Sequence, residues 1–313
     1  MGRLISFGGT LVLSALVLAS PLRAETLPIE GVYPAGNDRL AALNSLAMGG
    51  FRGGEGESLA FELEQRLRDV RVRSSAYFNI VPSQGNVGAD GTLSGSASSR
   101  TEERNEVGQE QVCAVETAKG NCKKYRWVKV NCSRRIITLN YTVTVDGRRR
   151  EGLFSVGKTA VNSELICPNS GEVGSEDAIV GNLISGVANE IRLQFAPLET
   201  RENIRVKEGT EGLQNNAKKK FKDAIRLTKK NITSACEMWV EVDQLVPNHD
   251  PTLFNLGLCA EARRDYDSAQ VLYRRVAEID RSERYATEAV ERLNRRRHAE
   301  RQIAAHSNGG RRR

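Results

Sequence analysis

Histidine is scarce in this chain: three residues in 313, His249, His298 and His306, all in the last quarter. A serine or cysteine nucleophile needs a base within hydrogen-bonding reach, so the first 248 residues hold no nucleophile–histidine pair. Metal-ligand spacing is lacking as well. The six cysteines, Cys113, Cys122, Cys132, Cys167, Cys236 and Cys259, contain no C-x₂₋₄-C pair, and no histidine lies near the first four, which argues against zinc. No apolar run approaches the ~20 residues of a membrane-spanning helix, and no cysteine directly follows the N-terminal apolar stretch to carry a lipid. Carboxylate pairs such as Glu55 with Glu57 and Glu102 with Glu103 fall in polar segments, whereas acid/base work needs a buried pocket to shift a pKa. These absences lead to the expectation of a non-enzyme that takes no cofactor and no metal.

What the chain does have begins with MGRLISFGGTLVLSALVLASPLRAE, where Arg3 precedes an apolar stretch and Ala24 offers a small residue for cleavage. This reads as a signal peptide over 1–24, and it predicts a periplasmic or secreted chain, soluble once processed. In such a compartment the six cysteines are expected to pair. Cys236 with Cys259 is the predicted pair in the C-terminal part, while pairing among the other four stays open. The formal charge of +7 is unevenly placed, since residues 281–313 hold ten arginines against four glutamates. The basic character therefore belongs to a C-terminal tail, with 307–313 its end, and implies contact with an acidic surface rather than specific nucleic-acid binding.

Residues 152–159, GLFSVGKT, match the phosphate-loop pattern at Gly152, Gly157, Lys158 and Thr159. A phosphate loop must leave a buried strand and enter a helix whose N-terminal amides cradle phosphate. Here Arg148, Arg149, Arg150 and Glu151 precede the motif, and Pro168 soon follows it. Upstream, RRIITLNYTVTV alternates Ile137, Leu139, Tyr141, Val143 and Val145, then meets Asp146-Gly147, a hairpin-turn signal. The motif is thus expected in the return arm of a β-hairpin. An exported nucleotide-dependent enzyme using these four residues is the alternative reading.

Before the hairpin, TLPIEGVYP reads as a strand and MGGFRGGEGE as a glycine-rich loop. SLAFELEQRLRDV follows as an amphipathic helix through Leu59, Leu63, Leu67 and Val70, and GTLSGSASS as a strand. After the hairpin, Ser175 caps a second helix with the stripe Ile179, Leu183, Val187 and Ile191. This gives an α+β domain with a mixed sheet over 25–200, carrying a cysteine-bearing insert. The element order, with GGEGESLAFELEQRL, then ADGTLSGSASS, then a helix ending in FAP, resembles the exported CsgG-like domains of bacterial cell envelopes, which include the amino-terminal domain of TolB and the activator LpoB.

After a linker at 201–213, Ala235, Trp239 and Val242 stand 34 residues before Ala269, Tyr273 and Val276. That is the tetratricopeptide period, and PTLFNLGLCAEARRDYDSAQVLYRRVAEID resembles this family, with Gly257 and Ala269 allowing close helix crossing. Asp250-Pro251 marks a helix start, and a capping helix led by Ser282 completes a module over 214–306. The resemblance implies a concave groove lined by first helices, so Lys220, Phe254, Leu258 and Glu261 are expected to face a partner. The predicted function is a periplasmic scaffold of an envelope complex for secretion, assembly or cell-wall work, binding envelope proteins through these repeats.

Overall fold

The computed structural model describes residues 25–81, 88–171, 173–279 and 284–311. The expected signal peptide and the Ser282 cap lie outside them. The architecture is α+β, with a mixed sheet and a C-terminal helical region.

Five strands form the main sheet in the order β5-β2-β6-β7-β8: Asn79–Val81, Ser45–Arg52, Gly91–Glu116, Cys122–Gly147 and Gly152–Ile166. β2 pairs in parallel with β5 and β6, while β6, β7 and β8 run antiparallel. Period-two alternation in β7 sends Ile137, Leu139, Tyr141, Val143 and Val145 to one face. That face is covered by α2, Gly56–Arg68, and α3, Glu176–Phe195. Leu59, Leu63 and Leu67 of α2 are fully buried there, and Ser175 caps α3 by accepting from the Ala178 amide. Hydroxyl pairs Ser94–Thr144 and Ser96–Thr142 mark the uncovered opposite face.

Two expectations shift locally. MGGFR belongs to strand β2 and not to a loop; its glycines weaken the strand signal, but Ser45, Leu46, Ala47 and Met48 are buried between two parallel neighbours. The turn between β7 and β8 also falls later than Asp146-Gly147. Both residues stay in β7, and the chain reverses through Arg150 at φ 60°.

The helical region comprises α4, Asn215–Leu227, α5, Ile232–Leu245, α6, Asp250–Ala262, α7, Tyr266–Ile279, and α8, Arg284–Arg311. His249 rather than Asp250 occupies the cap of α6, and Pro251 sits in its first turn. The expected linker is partly strand: β9, Leu198–Arg205, pairs antiparallel with β1, Thr26–Tyr33, as a separate ribbon. Leu27 and Ile29 of β1 enter the helical core, while Val32 enters the sheet core. β1 therefore joins the two cores, and the expected linker pairs with it as β9 instead of separating them.

α8 joins them a second time. Ala286, Ala289 and Leu293 pack in the helical core, and Ala299 and Ile303 in the sheet core. Short α1, Asp38–Ala41, meets it where Gln302 donates to the Ala35 carbonyl and Asp38, and His298 contacts Asp38. The arginine-rich tail is thus helical through Arg311 and packed as far as His306, and Arg296 is completely buried. His306 stacks on Tyr77 with ring centroids 3.9 Å apart. Burial pushes the His306 imidazole below its ordinary pKa, as it does that of His249. A depressed histidine resists protonation when folded, so its contribution is complete above the unfolded value of ~6.5 and is lost as pH falls below it. The melting temperature is expected to drop between pH 7.5 and pH 5, and His306→Phe, which keeps a ring on Tyr77, to reduce that drop.

Candidate functional site

Pairing between β6 and β7 continues from Gly91↔Gly147 out to Glu116↔Cys122, but β2 accompanies β6 only to Ser96 and β8 accompanies β7 only to Ser133. Beyond Ser133, β6 and β7 have no further strand partner among the described residues and form an arm that strand rise extends to roughly 35 Å. An isolated two-stranded ribbon is marginal in water. The cysteines answer that problem: Cys113–Cys122 closes the tip, and Cys132–Cys167 ties the arm's root to the segment after β8. Gly108 lies across from Val130 in the ladder, and a Cβ there would overlap the Cys132 sulfur, so the residue makes room for the root disulfide.

The arm's surface is unusual in this molecule. Tyr125 and Trp127 are 59% and 63% exposed, and Val107, nearer the root on the same face, is exposed as well. Alternation puts Tyr125, Trp127 and Lys129 on one face, the continuation of the face that α2 and α3 cover nearer the root, while Lys123 lies at a register shift beside the tip disulfide. Between residues 112 and 130 the charged residues are Lys119, Lys123, Lys124, Arg126 and Lys129 against Glu116 alone. Exposed aromatics with adjacent cations are the side-chain chemistry that protein interfaces and cation–π contacts use. KKYRWVKVNC favours strand through its aromatic and β-branched residues, and no partner contact was expected of it; aromatics held between cysteines were the signal.

The repeat groove expected to bind a partner is filled from within. Phe254 is 3% exposed, and Leu258 and Glu261 are fully buried, against the expectation that they face a ligand. Phe254 packs on Tyr273 and Tyr285, with centroids 5.3 Å and 4.6 Å away. Glu261 accepts from Arg292 Nε and Nη2 and from the Tyr273 hydroxyl, each at 2.8 Å, and lies 3.1 Å from Arg296 Nη1. Ribbon β1–β9 and helix α8 occupy the face that a partner would use. Lys220 is half-buried and ion-paired with Glu241 of α5.

GLFSVGKT lies wholly within β8. Lys158 is held by Glu190 of α3, and the Thr159 hydroxyl bonds Asn140 at 2.8 Å. Gly152, Gly157, Lys158 and Thr159 therefore form no phosphate cradle, because a strand points its amides at neighbouring strands and no helix N-terminus follows. Lys158→Ala is expected to leave the melting curve superimposable on that of the parent and to change no nucleotide affinity, measured by calorimetry with ATP.

Cys236–Cys259 links α5 to α6 as expected. It borders an apolar pocket of ~500 Å³ that includes Ile232, Val240 and Leu256. Its charged rim is balanced, Glu30 and Glu237 against Arg201 and Arg263. All six cysteines are paired, which fits an exported protein. No helix among the described residues is long and apolar enough to cross a membrane.

No protein-family model matches the chain, and no curated protein matches it. Among solved structures it is similar to a PelC dodecamer from Paraburkholderia phytofirmans, solved as a single-substitution variant, at 10% identity and a TM-score of 0.24, over 55% of this chain and 98% of that one. A likeness at that TM-score assigns neither fold nor function.

Proposed function

We propose that this chain is a non-enzymatic interaction protein of the bacterial cell envelope, exported to the periplasm, whose contact element is the stapled arm. In this reading the sheet and α2–α3 form a CsgG-like platform. The helices are two tetratricopeptide-like units and a cap, supported by the 34-residue spacing and by Gly257, where a Cβ would overlap the Tyr273 ring. Their role is internal: they bury the chain's own ribbon, and they brace the platform through α8. The observation that carries the proposal is the exposure of Tyr125 and Trp127 on a ribbon closed at tip and root by disulfides.

The test is a double substitution, Tyr125→Ser with Trp127→Ser, in the otherwise intact chain. Purified protein is crosslinked to detergent-extracted envelopes. The expected result is loss of the crosslinked species with no change in melting temperature, because neither side chain supports a core. Undiminished crosslinking, or ATP binding that Lys158→Ala abolishes, would overturn the proposal.

A further inference from the structure

We propose that the arm's partner is a second copy of this chain, paired about a two-fold axis so that each arm's tip docks in an acidic groove of the other copy. The inference rests on the preceding reading of the arm as the contact element and names its occupant.

The groove lies between α2 and α3 at the level of Ser99, on the sheet side of the arm's root, and has a volume of about 710 Å³. Glu55, Glu57, Glu62, Glu176 and Asp177 line it, and Phe61 stands beside them, 63% exposed. Ser99 of β6 lies against it and donates to Glu55 at 2.8 Å; Thr101 donates to Glu176. An acidic groove with an exposed aromatic is the chemical complement of a basic tip with Tyr125 and Trp127.

Register makes the two features compatible in one assembly. Ser99, Thr101, Val107, Gln111 and Cys113 differ by even numbers along β6, so they share one face of the ribbon. Residue 106 is the midpoint between Ser99 and Cys113. A two-fold axis at that level, parallel to the sheet plane, about 5 Å above this face and across the strands, turns this face onto its own copy and reverses the arm. It superposes the level of Ser99 on that of Cys113 and Tyr125, and the level of Thr101 on that of Gln111 and Trp127. α2 and α3 stand one layer above this face. A second ribbon laid on it at the usual sheet spacing of about 10 Å runs end-on into the groove between them. Exposed Val107 lies next to the axis. The contact is isologous, as a closed dimer requires.

Charge exchange tests it. One variant reverses the tip, Lys123→Glu with Lys129→Glu, and another reverses the groove, Glu57→Lys with Asp177→Lys; all four side chains are exposed. In sedimentation velocity at about 50 mM salt the parent is expected to be a dimer that weakens as salt rises. Each variant alone is expected to lose dimer affinity by on the order of 100-fold, because like charges then face each other. An equimolar mixture of the two variants is expected to recover the dimer, since every tip–groove contact is again between opposite charges. A parent that stays monomeric at tens of micromolar, or a mixture that fails to recover the dimer, would overturn the inference. So would a monomer that binds phosphatidylglycerol vesicles through Lys123 and Lys129, which would make an anionic lipid surface the occupant. A monomeric parent whose Tyr125→Ser/Trp127→Ser variant still loses envelope crosslinking would overturn the inference and leave the arm's contact role intact.

Discussion

Glu261→Ala is expected to destabilise the protein by about 3–5 kcal/mol, because removing one member of a buried ion cluster leaves the opposite charges without compensation. Glu261 is fully buried, and both its oxygens are engaged: one by Arg292 Nε and Arg296 Nη1, the other by Arg292 Nη2 and the Tyr273 hydroxyl. Arg296 continues the chain of contacts to Glu202 of β9, which accepts from the Tyr33 hydroxyl of β1 at 2.7 Å. The cluster thus joins α6, α7 and α8 to the β1–β9 ribbon. Its loss is expected to loosen the ribbon and the cap together, so hydrogen exchange should rise in β1 and α8 as well as around residue 261. Replacing Glu261, Arg292 and Arg296 together by apolar residues of similar volume is expected to recover much of the stability, since no buried charge would then face an empty site. A chemical-denaturation series on the single and triple variants measures both effects. A single substitution costing under about 1 kcal/mol would contradict the account.

Phe254→Ala is expected to cost about 3–5 kcal/mol, the usual penalty for truncating a buried aromatic. The ring lies between Tyr273 and Tyr285, so its removal opens a cavity at the junction of α6, α7 and α8. Were Phe254 a groove anchor, as the repeat resemblance implies, the same change would spare the melt and weaken partner capture. A thermal melt with the envelope-crosslinking assay separates the two: the structure predicts a large fall in melting temperature, with crosslinking of the protein that remains folded unchanged.

Local periodicity made much of the architecture readable. Leu59, Leu63 and Leu67 announce α2, Ile137 to Val145 announce a half-buried strand, and the charges before GLFSVGKT place that motif in the return strand of a hairpin. Long-range pairing hid the rest. LETRENIR has little apolar character, and it becomes β9 only because β1, at the other end of the described domain, pairs with all eight of its residues. For the same reason the repeat groove was expected to be open: nothing near residue 254 foretells that Leu27 and Ile29 fill the helical core. Arginine density in the tail reads as solvated helix, yet Arg296 is buried because a glutamate from α6 and another from β9 reach it. The arm carried the opposite problem. Its aromatics read as ordinary strand formers, and their exposure follows from where β2 and β8 stop, which only the ladder registers reveal.

The central claim is that contact with partners is made by the arm and not by the repeat groove, and site-specific photo-crosslinking in intact envelopes tests it most directly. A benzoylphenylalanine is placed at Trp127 in one variant and at Phe254 in another, and crosslinked products are separated by mass after irradiation. The account predicts intermolecular adducts from position 127 and only intrachain products from position 254, whose neighbours are Tyr273 and Tyr285. Intermolecular adducts from position 254, with none from position 127, would contradict it.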